Sequence, residues 1–141
     1  MITFREGNLS LKKINLTCMS DGIVHDVEVH LISDIKCAMS VYIGNKCQLN
    51  AEGEDFFECF KKIRELDKQI VYYCKGAKIN VIPSRMTRQM TKGLSAYETT
   101  LGVPARREKL VNIFDYANEG LESDPSEQDQ YEAKWFASLT G

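Results

Sequence analysis

Asp26, Glu28 and His30 alternate along IVHDVEVHLI, residues 23–32. In an extended chain, alternate residues share one side. Two carboxylates beside an imidazole could carry acid–base chemistry, one group taking a proton while another delivers it. The same alternation describes the wet face of an antiparallel sheet, where these residues make an acidic patch for a basic partner. His25, the only other histidine, is five residues from His30 and so falls on the opposite face. The pair therefore cannot hold one metal ion from that strand, nor act as the paired histidines of a ribonuclease. Five cysteines (Cys18, Cys37, Cys47, Cys59 and Cys74) are odd in number, widely spaced and without a C-x-x-C pair. That spacing fits neither a zinc site nor a disulfide framework, and Cys18, Cys59 and Cys74 lie in apolar patterns that read as buried, reduced thiols. No P-loop, G-x-G-x-x-G, H-E-x-x-H or G-x-S-x-G motif occurs. The expectation is a chain that is not an enzyme and needs no metal or cofactor, with Asp26/Glu28/His30 catalysis as the alternative.

Charge is segregated. The formal net charge is −2, which argues against bulk electrostatic affinity for DNA or a membrane. Yet Lys75, Lys78, Arg85, Arg88, Lys92, Arg106, Arg107 and Lys109 face only two glutamates between 75 and 109. With Tyr72, Tyr73 and Tyr97 nearby, that stretch could bind a phosphate backbone and stack bases. A nucleic-acid-binding domain usually carries net positive charge, so these cations are expected to pair with the chain's own acids or to face a protein. From Asp115 to Glu132 there are seven acids and no base. These read as a solvated loop and helix start, or as a docking surface for a cationic protein.

The elements that position these residues read as one α+β domain spanning 1–141, mainly an antiparallel sheet with one central helix at about 55–68 and C-terminal helices packed on it. At 43% apolar residues the chain can bury a core without disulfides or metal. Leu9 to Cys18 reads as a strand whose apolar parity shifts, predicting a bulge near Lys12–Lys13. Asp21–Gly22 marks a hairpin turn into 23–32, and Gly44–Asn45 turns a strand at 39–43 back through Cys47–Leu49. Phe56, Phe57, Phe60, Ile63 and Leu66 recur at helical spacing. Segments 70–75 and 78–82 read as a hairpin about Gly76–Ala77. Pro83 stops that strand, Ser84 caps a short helix to Met90, Gly93 breaks it, and 94–101 reads as another helical turn or two. Residues 104–117 fit a loose helical face and are read as helix, although the core LVNIF fits a strand equally well. Asp124-Pro125-Ser126-Glu127 starts a terminal helix to about Leu139, with Tyr131, Trp135, Phe136 and Leu139 turned to the core. The first ten residues show no basic-then-apolar leader, and no apolar run nears the ~20 residues of a membrane span. With unpaired cysteines, the expected home is a reducing cytoplasm.

One pattern carries a family likeness. Pro83-Ser84-x-Met86-x-x-x-Met90-x-x-Gly93-x-x-Ala96-Tyr97, then Ile113-Phe114-Asp115, then Tyr131-x-x-x-Trp135-x-x-Ser138-Leu139 resembles small bacterial immunity proteins of contact-dependent growth inhibition and related polymorphic toxin systems. The likeness covers 83–139, with Arg85 where the pattern carries Gly. It implies a binder of one cognate secreted toxin C-terminal domain, a nuclease on this reading, held by blocking its active site or substrate groove. Nucleic acid and membrane would not be partners. A cationic groove would be met by Asp26, Glu28, Asp115, Glu119, Glu122 and Asp124, with Tyr116 as the aromatic anchor.

Overall fold

A computed structural model describes residues 10–140. Leu9, and the N-terminal segment in which no leader is read, lie outside the described residues. The fold is α+β: a curled five-stranded antiparallel sheet, a second sheet of three short strands, and three helices. Strands β1 (Ser10–Ser20), β2 (Ile23–Ser33), β3 (Cys37–Ile43), β4 (Lys46–Gly53) and β5 (Val71–Tyr72) lie in the order β4-β3-β2-β1-β5.

Asp21 and Gly22, at φ 53° and 74°, turn β1 into β2. Both central residues are left-handed, which matches the right-handed twist of the strands they join. Pairing then runs unbroken from Ser20↔Ile23 to Ser10↔Ser33. The bulge expected at Lys12–Lys13 is therefore absent. The parity shift has another cause: Leu11 lies on the outer, solvent side while Ile14, Leu16 and Cys18 point inward. The sheet's irregularity falls between β3 and β4, where Val41 pairs with Leu49 but Tyr42 with Cys47, leaving Gln48 as the extra residue.

Helix α1 (Phe56–Leu66) starts on Asp55, whose carboxylate accepts from the Glu58 N–H at 2.8 Å. It covers the inner face of the large sheet, where Phe56, Cys59, Phe60 and Ile63 join Leu16, Val27, Val29, Leu31, Met39 and Val41 in the core. Phe57, on another flank, packs with Val81, Ala96 and Ile113 of the second core. The helix is thus not a central rod; it lines one face of the sheet. Leu66, expected on its apolar stripe, is 59% exposed as the last residue of the helix, and Arg64 takes the buried position instead.

The expected 70–75/78–82 hairpin does not form. Tyr72 pairs with Cys18 of β1, whereas β6 (Val81–Ile82) joins β7 (Ser95–Glu98) in the second sheet. A 3-10 turn at Lys75–Ala77 separates them. Gly76 serves close approach: a Cβ there would lie 2.9 Å from Ile113 Cβ, and its N–H donates to Ile113 O at 2.6 Å. Helix α2 (Arg85–Thr91) carries the expected Ser84 cap, with Thr87 reciprocating, and ends on left-handed Lys92 and Gly93. Residues 95–98 are strand, not helix, because Ala96 is wholly buried between its neighbours in the sheet. The helix expected over 104–117 is likewise replaced by a 3-10 turn at Arg107–Lys109 and strand β8 (Leu110–Asn112), paired with β7. The β-branched Val111 and open ladder positions on β7 decide between two readings that the residue pattern left equal.

Helix α3 (Pro125–Thr140) starts where expected, with Asp124 accepting from the Ser126 N–H at 3.0 Å and its hydroxyl at 2.9 Å. Trp135 is buried and its indole N–H is shared between Thr100 O at 3.1 Å and Val103 O at 3.0 Å. Phe136 is exposed. Gln128, also buried, ties α3 to the rest: its amide N donates to Gly76 O, Lys78 O and Val81 O, and its Oε1 accepts from Arg64.

Candidate functional site: the outer sheet face

Register places Asp26 opposite Thr17, whose hydroxyl lies 3.5 Å from the carboxylate. Because Leu16, Cys18, Val27 and Val29 point inward, Thr17, Asp26 and Glu28 point outward. Glu28 meets the His30 imidazole at 2.5 Å, and His30 stacks on Tyr42 with ring centroids 4.3 Å apart. That hydrogen bond, with the His30 and Lys13 charges adding to it, holds the Glu28 carboxyl below its ordinary range. His30 is therefore braced between Glu28 and Tyr42, not simply solvated. All of this sits on the open face of the sheet.

The face continues past β1. The Tyr73 N–H donates to Thr17 O at 2.8 Å, and the Ala117 N–H donates to Tyr73 O at 3.3 Å. The 115–117 segment thereby lies beside Tyr73–Lys75, just past β5, as a further row bridged at Cys74↔Tyr116. Three strand spacings separate it from β2, about 14 Å. Tyr116 is 63% exposed, and its ring lies edge-on to that of Tyr73 with centroids 6.4 Å apart. Asp115, beside it, is exposed, with its backbone oxygen engaged by the Lys75 N–H.

The remaining acids behave differently. Glu119 is exposed in the following loop. Glu122 is half-buried, its N–H bonded to Ala77 O at 2.9 Å. Asp124 is occupied in starting α3: the Ser126 N–H and hydroxyl hold its carboxyl low, and Lys68 lies 3.7 Å away. Asp26 and Glu28 thus share the outer face, while exposed Asp115 and Tyr116 lie in the added row, Tyr116 bridged to the inward-pointing Cys74; of the later acids, Asp124 is committed to the helix start.

Half of the basic set is consumed internally. Lys75 and Lys78 clamp Glu98 at 2.6 and 3.1 Å, Arg88 pairs with Asp55 at 2.8 Å, and Lys92 bonds the Ser33 hydroxyl. Burial pulls the Glu98 carboxyl up, but the two ammoniums outweigh it and leave it below the ordinary range. Cys18, Cys37, Cys59 and Cys74 are buried and free; burial lifts all four thiols, Cys59 and Cys74 to about 12. A thiol held protonated that strongly is no nucleophile at neutral pH. Cys47 alone is exposed. Among the described residues no group of His, Cys, Asp and Glu is arranged to hold a metal ion, and no helix is long and apolar enough to cross a membrane.

Sequence reasoning missed Thr17, Tyr73 and Tyr42 as parts of this face. Thr17 could have been found from the Asp21–Gly22 turn, which fixes the register; Tyr73 required knowing that β5 pairs with β1. No protein-family model matches the chain, and no curated protein sequence is similar to it.

Proposed function

We propose that this chain is an immunity protein that binds and neutralises a cognate secreted toxin domain, of nuclease type, by covering its active site or substrate groove. The observation that carries the reading is the pair of exposed carboxylates Asp26 and Glu28 on the outer sheet face, with exposed Asp115 and Tyr116 on the row that extends the same sheet beyond Tyr73. Carboxylates spaced along a rigid sheet complement a cationic groove built for phosphates and speed encounter with it. An aromatic ring held by a neighbour supplies the desolvated anchor that acids alone lack. The likeness of 83–139 to immunity proteins supports the same role, and a cytoplasmic site of action goes with it.

Two alternatives receive less support. Asp26 and Glu28 are exposed, and with His30 they line none of the cavities around α2 and α3, so those cavities offer an acid–base site no walls. Lys75, Lys78, Arg88 and Lys92 are engaged by partners within the chain, which leaves fewer cations for nucleic acid.

The test is protection. Cells expressing the toxin domain encoded next to this chain should grow when the chain is co-expressed, and lose that protection when Asp26, Glu28 and Tyr116 are replaced together by Asn, Gln and Ala. Equal killing with and without the chain would sink the proposal.

A further inference from the structure

Away from the sheet face, α3 and the second sheet border a half-open cavity of about 110 Å³ whose walls include Ile82, Pro83, Ser84, Ala105, Trp135 and Phe136, with Tyr97 and Thr99. Two of its polar lining groups are already satisfied, and the Tyr97 hydroxyl has no hydrogen bond among the described residues. The Trp135 N–H is held by two backbone carbonyls, and the Thr99 hydroxyl donates to Asn80 O at 2.8 Å. What remains facing the space is mainly apolar. An apolar cavity of ~150 Å³ takes up a benzene molecule, so this smaller one suits a branched aliphatic side chain.

Pro83, Ser84 and Phe136 also line a wider, open cavity, whose other walls are Arg85, Arg88, Gln89 and Glu132. Arg88 is neutralised by Asp55. Arg85 and Glu132 make no ion pair or side-chain hydrogen bond among the described residues. Glu132 is half-buried, and that burial raises its carboxyl above the ordinary range. An apolar socket therefore opens onto one free cation, one free anion and a carboxamide. The matching ligand is apolar at one end and carries both a positive and a negative pole, or an N–H and a C=O, at the other.

We propose that this composite pocket binds an aliphatic amino-acid residue of leucine size. The side chain enters the Trp135 socket, the amino or N–H end faces Glu132, and the carboxylate or carbonyl end faces Arg85 and Gln89. Free leucine and a leucine within a partner's chain share this chemistry. The site is independent of the outer sheet face and does not rest on toxin binding.

Nuclear magnetic resonance titration of the full ¹⁵N-labelled chain tests it with L-leucine, N-acetyl-L-leucinamide, isovalerate and isoamylamine. Saturable shifts confined to 82–85, 97–105 and 132–136 are expected, with a dissociation constant of about 1 mM for a ligand this small. L-leucine as the tighter ligand assigns the site to the free amino acid; the blocked amide as the tighter ligand assigns it to a chain segment. Ala105→Trp, at an exposed wall position, fills the socket and should abolish the shifts while leaving the remaining spectrum in place. Phe136→Ser, also at an exposed position, should weaken binding at least severalfold. Arg85→Gln should weaken L-leucine several-fold more than the blocked amide. The proposal is overturned if neither leucine ligand saturates, if isovalerate or isoamylamine binds as well as both, or if the shifts survive Ala105→Trp.

Discussion

Replacing Gln128 by leucine should destabilise the fold by about 3 kcal/mol. Its amide nitrogen has two hydrogens and three carbonyls in reach, Gly76 O at 3.2 Å, Lys78 O at 2.8 Å and Val81 O at 3.2 Å. Two bonds at a time are worth about 1 kcal/mol each, and the bond from the charged Arg64 to Oε1 about 2 kcal/mol. Leucine returns about 1 kcal/mol through its apolar surface. At roughly 3 °C per kcal/mol for a chain of this size, the melting temperature should fall by about 9 °C. Arg64→Met is the companion. The guanidinium is fully buried, with Nε lacking a partner, and burial lowers its pKa from 12.5 to about 10. A base depressed in the folded state is penalised wherever it is charged, here at every pH below about 10, and the shift corresponds to about 3 kcal/mol. Methionine removes that penalty together with two hydrogen bonds of similar total worth, so Arg64→Met should stay within about 1 kcal/mol of the parent. Urea unfolding followed by circular dichroism measures both. Gln128→Leu within about 1 kcal/mol of the parent, or Arg64→Met costing more than Gln128→Leu, would refute the view that Gln128 is the latch of α3.

Gly93→Ala should cost about 2–4 kcal/mol, because φ is +77° and a Cβ would sit 2.7 Å from Asp55 Oδ1 and 2.8 Å from Phe57 N; thermal melts showing no loss would contradict this. Glu98, held below its reference value of 4.5, contributes stability that is complete above pH 4.5 and is lost as pH falls through the lower folded value. Unfolding free energies measured downward from pH 5 should therefore drop less steeply in Glu98→Gln than in the parent. In the native chain a thiol reagent at mild alkaline pH should label Cys47 quickly and the four buried cysteines only on unfolding, as mass spectrometry of the peptides would report.

Local chemistry made the first half of the chain readable. The Asp21–Gly22 and Gly44–Asn45 turns, the alternation in β2 and the Phe56-Phe57-Phe60-Ile63 stripe each point to one structure, and each formed as read. The second half was less legible because its strands are two to four residues long, too short for any period to show. Their pairing comes from partners distant in sequence: β5 goes to β1, while 115–117 and 121 pair back onto 73–78. Gly76 looked like a turn glycine but is a contact glycine, a distinction only Ile113 reveals. Arg64 lies on the helix's apolar stripe at i+4 from Phe60, and its burial depends on acceptors at Gly76 and Gln128 that no local pattern announces. The outward exposure of Asp26 and Glu28 was legible from alternation, and that of Tyr116 agrees with its place among the acids. Thr17, Tyr73 and the division of the acids into free and committed groups depend on tertiary pairing.

The immunity role proposed above requires a toxin domain in the gene upstream, and calorimetric titration of the full chain with the product of that gene tests the central claim most directly. The account predicts a saturable one-to-one complex that weakens with added salt, loses about 2 kcal/mol on Tyr116→Ala, and loses affinity on Asp26→Asn and Glu28→Gln while Asp124→Asn changes only stability. No complex at micromolar concentrations, or one indifferent to all three face substitutions, would contradict it.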